Sequence, residues 1–277
     1  MGQVREELYD AGEGVKLSIK DYLVKKYPGE ENKYFVGRML EYLDRCENTQ
    51  QRIFTDFLDP LKVKIAAEMS RHCNGSCINF YGGFEEAERR IAAVSPEWDR
   101  VKLEEYPVVL LKITDKGWGK GLNHRDYLGA LLGLGIKRDK IGDLLVRDRV
   151  CLAAVHQDIV GFVEMNLERA GNSRVDVERV YAGDPALRPE FKEIRVTVAS
   201  PRLDGVVGAV FGLSREKSSR YINGEKVRVN WEVCIRPDIA LKEGDIVSVR
   251  GEGKFKVQGF TGLTKKGRTI IHIDRYV

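Results

Sequence analysis

The sequence predicts an α+β protein in three parts: a helical N-terminal region, a central domain of alternating strands and helices, and a C-terminal module of two short helices on a small sheet. Three observations lead there. Apolar residues recur at helical spacing at Phe35, Met39, Leu40 and Leu43, and again at Leu61, Ile65 and Met69. Between residues 76 and 180, short apolar runs alternate with stretches of helical length, as expected of a sheet covered by helices. From Leu203 an unbroken stripe of Leu203, Val206, Val207, Val210 and Phe211 marks one face of a helix.

The elements follow in order. Residues 1–33 mix Gly, Glu and Lys without a sustained period and are expected to form a loosely held extension, punctuated by Pro28-Gly29. Residues 34–75 form the helical region, a hairpin of two helices joined through Thr55-Asp56-Phe57-Leu58-Asp59-Pro60, whose proline starts the second helix without losing a needed donor. Residues 76–185 form the central domain. In it, residues 77–81 read as a strand stopped by Gly82-Gly83, 84–93 as a helix, and 108–113, nearly all apolar, as a central strand. A helix over 125–134, strands over 144–147 and 150–154, a helix over 157–170 and a strand over 174–180 complete it. The layout expected is an RRM-like or ferredoxin-like split βαβ plait with one inserted helix.

Residues 200–277 form the last domain. Gly212 ends its first helix, Ser214 caps a second over 215–222, and Asn223-Gly224 closes that one. Val227 and Val229 then alternate with Lys226, Arg228 and Asn230 on a half-buried strand; a Gly244-Asp245 turn leads into residues 246–250, and Phe255 and Val257 mark a last strand.

Composition narrows the function. The 277 residues are 43% hydrophobic and 32% charged, enough for about two domains and too apolar for a disordered polymer. Apolar runs such as residues 127–136 fall short of the roughly 18 residues that span a bilayer, and charged residues stand where a signal peptide needs an apolar stretch. No membrane association and a cytoplasmic location are therefore expected. Five cysteines, an odd number spread over the chain, suit reduced thiols better than a disulfide framework. The net charge of +4 is unevenly placed: residues 201–277 carry 15 Lys and Arg against 9 Asp and Glu, so the basic excess lies in the last domain. Such a module on a near-neutral body suits a polyanion, and RNA suits it better than a lipid surface because no basic amphipathic helix with an aromatic face accompanies it. The alternative is a lysine-rich surface serving solubility.

The polar positions of that module are mostly cations. Arg202 opens the first helix, Arg215, Lys217 and Arg220 lie on the second, and Lys226 and Arg228 lie on the strand; Ser214 and Asn230 add polar groups for sugar or base contacts. A second candidate RNA contact comprises His124, Arg125, Lys137 and Arg138, with Gly129, Gly133 and Gly135 between them to let backbone approach closely. The alternative there is a helix cap at His124-Arg125-Asp126 and tight packing at the glycines.

Arg202-Leu203-Asp204, Leu213-Ser214-Arg215, Val227-Arg228-Val229-Asn230 and Leu241-Lys242-Glu243-Gly244-Asp245, in this order and spacing, resemble the S-four (alpha-L type) RNA-binding domain. That resemblance implies that two helices and the following strand present a basic face to structured RNA, with Asp204 holding the helix packing. Upstream, the Thr55–Pro60 segment quoted above, Gly82-Gly83-Phe84-Glu85-Glu86-Ala87-Glu88-Arg89-Arg90, the run from His124-Arg125-Asp126 to Lys137-Arg138, Ile141-Gly142-Asp143 and, near the end, Thr264-Lys265-Lys266-Gly267 resemble the bacterial YlmH family over residues 50–277. This second resemblance implies a non-enzymatic, ribosome-associated RNA-binding protein that meets the large ribosomal subunit (rRNA) and tRNA in rescue or quality control of stalled translation, with a genomic link to cell division. A monomer without cofactor or metal is expected.

Three sharper readings compete with these. His124-Arg125-Asp126 has the order of a kinase catalytic loop, but Leu131 stands where that chemistry needs a metal-binding Asn. Asp126 or Asp204 as the nucleophile of an RNA-modifying enzyme of the pseudouridine synthase type is the alternative function; the middle section is small for that catalytic domain, and the S-four motif already accounts for Asp204. His72, Cys73 and Cys77 lack a fourth ligand for zinc.

Overall fold

Backbone pairing sorts the strands into separate antiparallel sheets within two compact units, residues 1–188 and 189–277. The computed structural model describes residues 9–10, 16–72, 75–84, 86–180 and 191–276. In the first unit a short ladder joins β1 (Tyr9–Asp10) to β2 (Lys16–Leu17). Helix α1 (Ile19–Lys26) begins where Ser18 Oγ accepts from the Asp21 N–H, and α2 (Glu30–Thr49) buries Phe35, Val36, Met39, Leu43 and Cys46 along one stripe. Strand β3 (Ile53–Leu58), helix α3 (Pro60–Ser70), β4 (Ser76–Tyr81) and β5 (Arg90–Pro96) follow, with the strands in the order β3-β5-β4.

Three expectations are corrected here. Residues 19–33 are not loosely held: Leu23 is fully buried, and Glu68 of α3 accepts hydrogen bonds from Tyr22 Oη (3.0 Å), Tyr27 Oη (2.9 Å) and Lys26 Nζ (2.5 Å). Burial raises the Glu68 pKa, but these donors outweigh it and hold the carboxyl below its ordinary range. The segment from Thr55 to Pro60 is not a linker. Thr55 Oγ1 accepts from the Ala92 N–H at a bulge in β3, Phe57 is buried, Asp59 caps α3 through the Lys62 N–H, and Pro60 takes its first turn. Residues 84–93 are not a helix, because β5 occupies 90–96. Buried on both faces, β5 shows no alternation, and its alanines together with the preceding Glu and Arg residues imitate a helix.

The second sheet comes from β6 (Val108–Asp115), α4 (His124–Gly133), β7 (Ile141–Arg147), β8 (Val150–His156), α5 (Val160–Asn166), β9 (Arg169–Ala170) and β10 (Ser173–Val180), in the order β7-β8-β6-β10-β9. Setting the two-residue β9 aside, this is strand-helix-strand-strand-helix-strand, ordered second, third, first, fourth: a split βαβ plait. Strand β4 belongs to the other sheet, so the plait starts at β6 and not at residue 76. The helix expected over 157–170 is the shorter α5, which ends before β9.

The first unit stacks in four layers. Helices α1 to α3 cover one face of β3-β5-β4, with Leu23, Met39, Leu43, Ile65 and Met69 against Ile78, Ala92 and Val94. The other face places Phe57, Ile91 and Ala93 on Leu110, Leu152 and Ala154 of the plait, closed by Phe84 and Tyr106. Helices α4 and α5 cover the far side, with Tyr127, Leu131, Val160 and Val163 on Leu111, Ile113, Ala153 and Val155. At the joint, Asp143 Oδ2 accepts from the Glu88 and Arg89 N–H groups, and the Arg89 guanidinium donates to the carbonyls of Ile141, Phe57 and Arg138. Among the described residues no helix is long and apolar enough to cross a membrane.

In the second unit, β11 (Phe191–Val198) is followed by α6 (Leu203–Phe211), α7 (Arg215–Asn223), β12 (Val227–Val229), β13 (Glu232–Val233), β14 (Ile246–Val249), β15 (Gly253–Leu263) and β16 (Thr269–Tyr276). The sheet order is β11-β16-β15-β14-β12-β13. Strands β11 and β16 are additions to the small sheet read from the sequence, pairing from Phe191–Tyr276 to Val198–Thr269. Leu203, Val206, Val207, Val210 and Ile222 pack on Val227, Val247, Phe255, Val257 and Ile271. Gly212, at φ 67°, ends α6 in the left-handed conformation.

The two sheets of the first unit meet so closely at Gly142 that a Cβ there would lie 2.6 Å from Phe57 Cε1. Gly142→Ala is expected to cost about 1–3 kcal/mol of overpacking in a urea titration, and Phe57→Leu in the same chain to recover part of it. Additive costs would show that the contact does not govern the joint.

Candidate nucleic-acid interface

In the second unit, the placement of the cations starts from one buried carboxylate. Asp204, in the first turn of α6 and 3% exposed, accepts from the Gly205 N–H through Oδ1 (2.8 Å) and from Arg215 Nε through Oδ2 (2.9 Å). Arg202 Nε stands 3.5 Å from Oδ1. A desolvated carboxylate is costly unless paired, so both guanidinium groups are drawn to the mouth of its site, Arg215 remaining largely in water and Arg202 half-buried with its Nε withdrawn from solvent. Asp204 thus holds the α6–α7 corner together and aims two of the sequence-predicted arginines.

A second cluster surrounds Tyr221, which sequence reasoning passed over. Its Oη donates to Glu252 Oε1 (2.9 Å), whose oxygen also lies 3.7 Å from Lys217 Nζ. The ammonium groups of Lys217 and Lys226 stand 5.8 and 5.4 Å from the Tyr221 ring centroid. Hydrogen bonding to Glu252 raises the Tyr221 pKa, keeping the phenol protonated as a donor. Arg220 makes only a long 3.9 Å contact with Glu216 on the same helix, and Ser214 spends its Oγ on the Lys217 N–H as the cap of α7. The signal for Tyr221 was its spacing: four residues after Lys217 and five before Lys226, it lies between two cations.

The structure does not bring every predicted residue together. Arg228 alternates with the buried Val227 and half-buried Val229, so it lies on the sheet face turned away from α6 and α7, paired in register with Ser248, itself opposite Lys254. Asn230 has its amide engaged within the fold. It occupies a two-residue turn with Trp231, both at positive φ, and its amide donates to Asp245 Oδ1 (2.8 Å) and accepts from the Ile246 N–H (3.0 Å). It pins the β12–β13 hairpin to the Gly244-Asp245 turn.

The second candidate contact separates. His124 and Arg125 begin α4 and Lys137 lies beyond its far end, about 15 Å of helix away. Arg138 is withdrawn into the joint of the first unit, donating to the Ile141 and Gly142 carbonyls, and burial followed by the nearby Arg89 lowers its pKa to about 10. Nothing in the protein lies within 4 Å of a Cβ placed at Gly129, Gly133 or Gly135, so tight packing, the alternative reading, does not explain these glycines; Gly135 has a conformational reason, at φ 81°. Asp126 closes a capping box: its Oδ2 accepts from the Asn123 N–H (2.9 Å), while Asn123 Oδ1 accepts from the Arg125 and Asp126 N–H groups. Cys73 lies outside the described residues. Among the described residues, no group of three His, Cys, Asp or Glu side chains is placed to hold a metal ion.

The Asp204–Arg215 contact gives a direct test. Asp204→Asn is expected to lower stability by about 1–2 kcal/mol, with a coupling of at least about 0.5 kcal/mol to Arg215→Ala in a double-mutant cycle read from thermal midpoints. Independent, additive effects would remove Asp204 from its positioning role.

Comparison with known proteins agrees with this architecture. Residues 102–184, a span that contains the plait, match the family model described as "Putative RNA-binding domain in YlmH". Ribosome-associated protein quality control protein P2 of Bacillus subtilis (strain 168) is 30% identical over 249 residues, covering 89% of this chain and 96% of the relative. The solved structure of cell division protein ylmH from Streptococcus pneumoniae shares the fold over 55% of this chain and 93% of its own, with a TM-score of 0.50 and 19% identity. Identity at this level along nearly the whole of both chains places the protein in the YlmH family.

Proposed function

We propose that the protein is a non-catalytic factor that grips structured RNA of the large ribosomal subunit through its C-terminal domain and acts in rescue or quality control of stalled translation, with tRNA as a second contact. The single observation that carries this reading is the convergence of Lys217 and Lys226 on Tyr221, with Arg220 on the same helix and Arg215 held at its start by Asp204. Two lysines at an aromatic ring that carries a hydroxyl, with two further cations on the same helix, suit a folded phosphate backbone. The ribosome-associated quality control role in the name of the Bacillus relative supports the ribosomal setting. Non-catalytic action is supported by the two carboxylates an enzyme would need: Asp126 is spent on a helix cap and Asp204 on two arginines.

Arg215 is a poor residue to remove in a test, because Asp204 depends on it. Lys217→Ala, Arg220→Ala and Lys226→Ala combined leave that pair intact and are expected to abolish cosedimentation with purified large subunits at physiological salt. If these four cations and Arg202, about five in all, meet phosphates, log affinity falls with log salt at a slope near −3.5 to −4.5, which the triple variant reduces to about −1.4 to −1.8. Unchanged cosedimentation and slope, with an unchanged thermal midpoint, would contradict the proposal.

A further inference from the structure

An RRM-like plait usually meets RNA on the open face of its sheet, with aromatic side chains stacked on bases. That route is largely shut here. Leu110, Leu152 and Ala154 of that face are buried under Phe57, Phe84 and Ile91, and farther along it Lys112 is paired with Glu178 at 2.7 Å. What the plait does offer is the loop between β6 and α4, Lys116-Gly117-Trp118-Gly119-Lys120-Gly121, on which Trp118 is fully exposed at 101% relative exposure.

The loop is fastened on both sides of this indole. The Arg149 guanidinium donates to the carbonyls of Gly117 and Gly119 and to Asp115 Oδ2, while Asp115 Oδ1, buried beneath, accepts from the Gly117 N–H (2.8 Å). A Cβ at Gly117 would lie 2.3 Å from Ser173 Oγ, and one at Gly121 would lie 3.1 Å from the Asp148 carbonyl, so neighbouring turns hold the loop closely. An ordered backbone thus carries a side chain that packs on nothing. Around it the charge is largely positive: Lys120, Arg125, Arg169 and Arg174 are exposed on the same end of the plait, and Lys116 is paired with Asp176 at 2.8 Å. A protein-docking patch needs contiguous apolar area, whereas this loop has one aromatic among lysines and glycines.

We infer that Trp118 is a stacking platform for an unpaired nucleobase, with Lys120 and Arg125 meeting the adjoining phosphates. This second RNA site rests on the reading of the protein as RNA-binding and assigns the plait the single-stranded share of it. Stacking is indifferent to base identity and needs a free π-face, so an unpaired strand is the matching ligand and a duplex is not.

The probes are twelve-nucleotide oligo(A), a duplex of equal length and inorganic polyphosphate, each titrated into the full chain. Oligo(A) is expected to quench the intrinsic fluorescence of the parent protein and not that of Trp118→Phe. Trp118→Ala is expected to bind oligo(A) about 5- to 150-fold more weakly, the factor to which the usual stacking energy per base converts, with polyphosphate binding and the thermal midpoint unchanged. Equal oligo(A) affinity of Trp118→Ala and parent would overturn the inference and leave the C-terminal site standing. Parallel loss of polyphosphate binding would replace stacking by charge and overturn it too. Failure of the parent to bind any RNA, large subunits included, would overturn both.

Discussion

The placement of the cations on the C-terminal domain depends on one desolvated carboxylate. Asp204 could not stay buried in the first turn of α6 without partners, and the partners at hand are two arginines, Arg215 mostly in water and Arg202 half-buried. The pairing fixes the corner between α6 and α7, so the later residues of α7, Lys217, Arg220 and Tyr221, are carried by a helix whose start cannot wander. A cluster of flexible lysines would attract a polyanion without register; the same charges on a helix anchored at its first residue hold a defined spacing.

The first unit obeys a different constraint. Its two sheets lie face to face because each has a second apolar side with nowhere else to go: Phe57, Ile91 and Ala93 on one, Leu110, Leu152 and Ala154 on the other. Closing this gap covers the face that the plait's topology would lend to nucleic acid, and leaves Trp118 exposed on a loop at the sheet end whose backbone Arg149 fastens. Three of the segments that carry the family resemblance in this unit, Thr55 to Pro60, the Arg89 region and Ile141-Gly142-Asp143, converge at this joint. Their shared feature is structural: a bulge plug, a ring between sheets, a helix cap, and an arginine bonded to three carbonyls.

Much of this was legible in the sequence, for identifiable reasons. The α6 stripe, the Ser214 cap and the alternation through Val227 and Val229 are local patterns, and the structure holds them where periodicity put them. Strand β5 was read as a helix because burial on both faces erases the alternation that identifies a strand, and Ala and Glu are good helix formers. The burial of α1 escaped notice because eight residues with one fully buried leucine carry no period. At the candidate site, charge type was readable but direction was not. Arg138 reads like Lys137 yet turns inward to carbonyls, and Asn230 reads as a base reader yet is consumed by its own turn. Long-range partners decide such cases, and they lie many residues away.

The most direct test of the central claim is a crosslinking map. The intact protein is bound to large ribosomal subunits, irradiated, digested and analysed for RNA-linked peptides. Crosslinks concentrated in residues 214–228, on α7 and the start of β12, are the predicted result. A map with none there, and with RNA attached instead to the helical face of α2 and α3, would contradict the account.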